Sequence, residues 1–170
     1  VLVKRKFDWR GLVLFAVAAV VIALDQYTKS LVREHLTPYV SWNPIAWLEP
    51  FVTFTYVKNT GAAFGLFPNM GGLFIVVAVV VVALIIVYYR RLAESSWLLK
   101  VAFGLQLGGA IGNNLIDRLF MGYVTDFIDV RIWPIWNLAD ASIVVGTALL
   151  AYYALFGDRQ GKPIETQVSA

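Results

Sequence analysis

GLQLGGAIGNNLIDRLFMGYVTDFIDVRIWPIWNLADAS, residues 104–142, decides how the chain is read. It holds Asp117, Asp126, Asp129 and Asp140, the consecutive Asn113 and Asn114, and Arg118, in a chain whose other long stretches are almost purely apolar. Gly104, Gly108 and Gly112 fall on one helix face with Gly109 beside them, and such rows of small residues let helices pack closely. Packing accounts for the glycines but not for Asn113, Asn114, Asp117 and Arg118 at the exit end of that helix. An ionisable group near a bilayer is costly, so its default reading is functional.

Composition agrees with a membrane setting. Of 170 residues 59% are hydrophobic and 15% charged, and the mean hydropathy is +0.71; a soluble domain of this size is less apolar. The net charge of +3 comes largely from basic clusters at the ends of apolar runs. That pattern serves membrane orientation and makes nucleic acid a poor partner. With no cysteine there is no disulfide framework, thiolate zinc site or cysteine nucleophile, and His35 alone leaves little for an imidazole metal site or a serine triad. Carboxylates are the expected agents of any chemistry, with no metal or cofactor.

Before the key stretch, Lys4, Arg5, Lys6 and Arg10 precede an apolar run that passes directly into Asp25, Gln26, Thr28 and Lys29. No small-x-small cleavage site follows, so the run reads as an uncleaved first span over 9–27. Asp25 and Lys29 fit an i,i+4 ion pair at the interface, and equally a role in holding a site. From 31 to 70 the chain is mixed. Pro38, Pro44 and Pro50 break helices, and Tyr39, Trp42, Trp47 and Phe51 suit the headgroup level. Phe51–Lys58 predicts a short strand, with Val52, Phe54 and Tyr56 on one face and Thr53 and Thr55 on the other. Asn59 opens a turn of small residues and fits a turn former or a ligand contact.

Further spans are predicted over 72–89, 97–116 and 138–156, giving a mostly α membrane protein. One integral domain over 1–170 is expected, with four transmembrane helices and a small β-rich interfacial segment on the outer face. Lys4, Arg5, Lys6 and Arg10, then Arg90, Arg91 and Lys100, then Arg159 and Lys162 flank alternate ends of the four spans. The positive-inside rule then places both termini in the cytoplasm and the carboxylates near the outer surface. Asn137 reads as an N-cap and Asp140 as a first-turn carboxylate of the last span.

Thirteen residues separate Asp126 from Asp140. Two carboxylates sharing a site cannot readily both ionise, so one keeps a proton while the other serves as general base on a water. Such a pair hydrolyses an amide without a metal. Spacing alone leaves Asp129 as a replacement for Asp126, and Asp117 as a partner. A small transporter or ion-pathway subunit is the rival class, although it would place its polar residues at mid-span.

Asp25-Gln26-Tyr27-Thr28-Lys29, Asn59-Thr60-Gly61-Ala62-Ala63-Phe64, the run Gly108–Arg118, Val124-Thr125-Asp126-Phe127-Ile128-Asp129 and Asn137-Leu138-Ala139-Asp140 together resemble the bacterial lipoprotein signal peptidase family, signal peptidase II. The resemblance covers residues 25–142 in order. It implies an aspartic endopeptidase of the bacterial cytoplasmic membrane that cleaves a diacylglyceryl-modified prolipoprotein just before its lipidated cysteine. Membrane lipids are its surroundings and cyclic peptides its inhibitors. By resemblance Asp126 and Asp140 are the catalytic dyad; Asn59, Asn114, Arg118 and Asn137 support it or contact substrate, and Asp25 and Asp117 are supporting carboxylates. One departure stands out. The family pattern runs Gly-Asn-x-x-Asp-Arg, whereas Gly112 to Asp117 holds one residue more. Counting back from Asp117 selects Asn114 and counting forward from Gly112 selects Asn113; Asn114 is preferred because the distance from Asp117 to Asp126 then also fits.

Overall fold

The structure is a computed structural model that describes residues 12–61, 66, 67, 69–93 and 96–157. The terminal basic residues Lys4, Arg5, Lys6, Arg10, Arg159 and Lys162, and Phe64, lie outside these. Long helices α1 (Leu12–His35), α2 (Gly71–Ala93), α3 (Trp97–Ala110) and α5 (Leu138–Phe156) dominate the fold. A two-residue strand β1 (Ser41–Trp42), β2 (Thr53–Asn59) and β3 (Val124–Asp129) form one antiparallel sheet in the order β1-β2-β3.

Three helices, rather than the expected four, are by themselves long and apolar enough to cross a membrane among the described residues: Leu12–His35, Gly71–Tyr88 and Leu138–Phe156. The expected span 97–116 is a composite. Its α-helical part ends at Ala110, a π-helical segment follows over Ile111–Asp117, and a short helix α4 (Arg118–Met121) completes the run. The run stops at Gly122, whose φ of 77° is a left-handed conformation that glycine adopts without steric cost. The first helix also continues to His35, beyond the expected end at 27. Asp25 and Lys29 do not end it. Both are fully buried against neighbouring helices.

α3 sits centrally, packed against α1, α5 and α2. The glycine row makes this possible. A Cβ at Gly104 would stand 2.7 Å from the Leu14 carbonyl oxygen, and one at Gly108 2.7 Å from Val21 Cβ, so α1 lies directly on the bare backbone of α3. Gly109 performs the same service for α5, where a Cβ would meet Ala139 O at 2.6 Å. Between α1, α2 and α3 lies an apolar core of Leu14, Ala18, Ile85 and Leu107. Val76, Val80, Leu84 and Val87 of α2 remain exposed, which suits lipid contact, since lipid tails are as apolar as these side chains.

The sheet caps one end of the helices. Val32, Tyr56 and Phe127 fasten it to the last turns of α1. Its register contains a bulge. Phe54 pairs with Ile128 but Val57 pairs with Asp126, so β2 carries one extra residue. Phe54 and Tyr56 still pack together against Phe127, and the Thr53 and Thr55 hydroxyls still meet at 3.5 Å, as the expected faces require; the shift changes the β3 partners of Val57, Lys58 and Asn59.

Adding a methyl group at Gly108 forces backbone and a β-branched side chain apart, and overpacking of this kind costs about 1–3 kcal/mol. Gly108→Ala is therefore expected to melt several degrees below the parent in detergent. Gly72→Ala, with nothing within 4 Å of its new carbon, is expected to be neutral or slightly stabilising. Equal melting of the two variants would contradict the close packing of α1 on α3.

Candidate active site

Asp126 lies in β3 and Asp140 in the first turn of α5, and Asn137 joins them. Its side chain accepts a hydrogen bond from Asp140 N at 3.0 Å while Asp140 Oδ2 accepts from Asn137 N at 3.2 Å. This is a reciprocal capping box, so the expected N-cap and first-turn readings of the two residues both hold. The cap consumes only one end of the Asn137 amide. Its Nδ2 donates to Asp126 Oδ1 at 2.6 Å, and one fully buried asparagine thus touches both carboxyls.

Two further amides flank the pair. Asn59 Nδ2 donates to Asp126 Oδ2 at 2.8 Å, and Asn113 Nδ2 donates to Asp140 Oδ1 at 2.7 Å. None of the three amides can turn over freely, because each carbonyl oxygen is already occupied. Asn59 Oδ1 accepts from Gly61 N, Asn137 Oδ1 from Asp140 N, and Asn113 Oδ1 from Lys29 Nζ at 2.6 Å. All three NH2 groups are consequently fixed toward the aspartates. Asn59 reaches Asp126 only because of the bulge in β2. In an unbulged register continued from the Phe54–Ile128 pair, Asp126 would oppose residue 56 and Asn59 would point to the other face.

Beneath the pair lies a buried ionic cluster. Lys29 Nζ contacts Asp25 Oδ2 at 2.7 Å and Asp117 Oδ2 at 2.9 Å, and all three side chains are without solvent exposure. Asp25 Oδ1 accepts from Ala139 N at 3.0 Å in the first turn of α5. Asp117 Oδ2 accepts from Thr125 N at 3.2 Å beside Asp126. The i,i+4 pair anticipated for Asp25 and Lys29 exists, and it simultaneously ties α1 to the elements that carry both aspartates. Gln26, which sequence reading passed over, donates to Asp117 Oδ1 at 3.0 Å and to Gly112 O at 3.3 Å. Its place beside Asp25 was the only available signal.

Arg118 donates through Nε to Asn114 Oδ1 at 3.1 Å and through Nη2 to Gly61 O at 2.6 Å, and lies 4.9 Å from the Phe74 ring centre. Its Nη1 is the one buried side-chain polar atom without a hydrogen-bond partner among the described residues. Asn114, the preferred amide in the sequence, accordingly meets Arg118, and its neighbour Asn113 meets Asp140. Asp129 lies apart from the cluster, paired with Arg131 N at 2.8 Å.

Burial pushes the Asp126 carboxyl up to about 7, and the nearby Asp140 carboxylate adds to the effect; the hydrogen bonds from Asn59 and Asn137 oppose it. A carboxyl poised near neutrality beside a second carboxylate can exchange a proton at physiological pH.

A family model described as signal peptidase (SPase) II matches residues 17–156. The chain is 45% identical over 138 residues to the lipoprotein signal peptidase of Moorella thermoacetica, covering 81% of this chain and 89% of that one. It is 45% identical over 139 residues to that of Halothermothrix orenii, covering 82% and 92%. Among solved structures it is similar to a bacterial membrane enzyme determined by the in meso method at 2.3 Å resolution. That similarity has a TM-score of 0.79 and 28% identity, and covers 92% of this chain and 94% of the other.

Because the Asp126 pKa rises from 3.8 to about 7 on folding, folding favours its protonated form. The associated stability is complete below pH 3.8, declines as pH rises, and is gone above about 7. The melting temperature is expected to fall between pH 5 and pH 8, and Asp126→Asn, which cannot titrate, to flatten that slope. An unchanged slope in the variant would exclude a raised carboxyl at this position.

Proposed function

The chain belongs to the signal peptidase II family, and on that footing we propose that it is an aspartic endopeptidase whose catalytic pair is Asp126 and Asp140. It is a multi-pass membrane protease that removes signal peptides from lipoproteins. The bond cut precedes a cysteine already carrying a diacylglyceryl group. The observation that carries the reading is Asn137, which hydrogen-bonds to both carboxyls at once while Asn59 and Asn113 hold their outer oxygens.

In the proposed reaction the pair holds one proton. The ionised carboxylate takes a proton from water, and the hydroxide so formed adds to the scissile carbonyl carbon while the other carboxyl protonates the carbonyl oxygen. The resulting gem-diol collapses. The C–N bond breaks as the first carboxyl passes its proton to the departing nitrogen, and the second recovers a proton from the diol. Asn59, Asn113 and Asn137 keep the two carboxyls oriented throughout, and no covalent enzyme intermediate or metal is required. Arg118 is a substrate contact. Its unpartnered Nη1, backed by Asn114 and Gly61 O, is available to a backbone carbonyl of the bound peptide. Cyclic peptide inhibitors compete for the same groups. Asp25 and Asp117 act at one remove, by fixing Lys29 and the backbone beside each catalytic aspartate.

The enzyme sits in the bacterial cytoplasmic membrane with both termini inside and the aspartates near the outer face. Supporting this, α2 begins at Gly71, 3.6 Å from Arg118 when a Cβ is built there, and carries Arg91 in its last turn, about 30 Å away along a helix of this length. The rival reading as a transporter or ion-pathway subunit has no comparable support, because the polar cluster occupies one end of the helices.

Asp126→Asn and Asp140→Asn are each expected to fold and to lose cleavage of a lipidated prolipoprotein by at least about 100-fold, the scale of acid–base catalysis. Asp129→Asn is expected to retain most activity. Mass spectrometry of the products decides it, and a folded Asp126→Asn protein that cleaves normally would remove the dyad. For orientation, a cysteine placed at Asn69 should label from outside intact cells and one at Ser96 should not; the opposite pattern would invert the topology.

A further inference from the structure

Asn113 and Asn114 follow each other in the chain, yet their side chains serve different partners. The family pattern has room for a single amide between the glycine and the aspartate, and here one residue is added. A π turn is the helical form that absorbs one extra residue, and it occurs at this place: over Ile111–Asp117 the helix widens, and the N–H of Arg118 bonds to Asn113 O, five residues back. Both ends of the motif thereby keep their contacts. Gly112 stays against Asp25, where a Cβ would stand 2.8 Å from Oδ2, and Asp117 stays on Lys29 at 2.9 Å.

The added residue separates two tasks. Asn113 bridges Lys29 Nζ, at 2.6 Å, to Asp140 Oδ1, at 2.7 Å. Because Lys29 occupies the amide oxygen, the amide can present only its donor to Asp140. Asn114 faces the other way and accepts from Arg118 Nε at 3.1 Å, fixing a guanidinium whose Nη2 bonds Gly61 O and whose Nη1 has no hydrogen-bond partner among the described residues. We infer that the π turn divides positioning between the two asparagines: Asn113, locked by Lys29, positions the Asp140 carboxylate for the chemical step, and Asn114 positions Arg118 for holding substrate. The inference rests on the reading of Asp126 and Asp140 as the catalytic pair and of Arg118 as a substrate contact.

The two roles separate in steady-state kinetics on a lipidated prolipoprotein, with melting temperature measured alongside. Loss of a hydrogen bond to a charged group corresponds to about 10- to 100-fold. Asn113→Ala is expected to lower kcat by that factor with KM within about twofold, since a contact needed for the chemical step is lost. Lys29 still has Asp25 and Asp117, so the variant folds. Asn113→Asp keeps an acceptor for Lys29 but sets a carboxyl against Asp140, and the two can stay together only by sharing a proton, so Asp140 is no longer held as a carboxylate by a neutral amide. It is expected to fold and to lose kcat similarly, whereas a residue that merely satisfied Lys29 would be rescued by Asp. If Asn113→Ala does not fold, Asn113→Asp decides the first role.

Asn114→Ala is expected to raise KM about tenfold with kcat little changed, and Asn114→Asp, which restores an acceptor for Arg118, to return KM toward the parent value. Parent-like kcat in folded Asn113→Asp, or identical kcat and KM patterns in the two alanine variants, would overturn the division. Failure of the dyad itself would appear separately, as normal cleavage by Asp126→Asn.

Discussion

Lys29 is a full positive charge without solvent exposure, enclosed by Asp25, Asp117 and the Asn113 amide. A buried ion pair adds little net stability over a well-packed apolar core, but removing one member leaves an uncompensated charge and costs about 3–5 kcal/mol. The consequence here is geometric. An ammonium with three acceptors at 2.6–2.9 Å fixes four elements relative to one another: its own helix α1, the π-helical segment through Asn113 and Asp117, α5 through Asp25, whose other oxygen accepts from Ala139 N, and β3 through Asp117, whose Oδ2 also accepts from Thr125 N. Ala139 and Thr125 adjoin Asp140 and Asp126. The charge cluster is thus the reference frame in which the Asp126 and Asp140 carboxyls are placed.

Close helix packing is what lets so polar a cluster be buried. The glycine row of α3 brings α1 into backbone contact, and Gly109 does the same for α5, so the ends of three helices converge on the fully buried Asp25, Lys29 and Asp117. The sheet completes the enclosure, with Asp126 only 2% exposed. Burial and the neighbouring Asp140 together hold the Asp126 carboxyl near neutrality, against the pull of two amide donors. A capping box is an ordinary way to start a helix. In this protein the same two residues, Asn137 and Asp140, also hold one member of the pair and constitute the other, so formation of α5 and assembly of the site are one event.

Much of this was legible in the sequence because hydropathy and glycine spacing are local signals. The apolar runs located the long helices, the row Gly104, Gly108 and Gly112 identified a close-packed face, and Asn137 with Asp140 announced a helix start. What escaped depends on register or on distant pairing. Neighbours in sequence do not disclose that Lys29 has Asp117 as its second carboxylate, so the first span was ended at 27 when α1 continues to His35. The bulge in β2 is invisible in residue types, and it is the reason Asn59 meets Asp126. The extra residue between Gly112 and Asp117 was visible, but whether it displaced the motif forward or backward was not. The π turn absorbs it in place and leaves Asn113, rather than Asn114, against Asp140.

Asp126 is a buried carboxyl whose surroundings keep its proton exchangeable near neutral pH. Infrared difference spectroscopy of protein labelled with 13C-aspartate, titrated from pH 4 to pH 9, observes that proton directly. A protonated-carboxyl band is expected to disappear with a midpoint at about 7 and to be missing from Asp126→Asn. A spectrum in which the band attributable to Asp126 is already gone at pH 5 would contradict it.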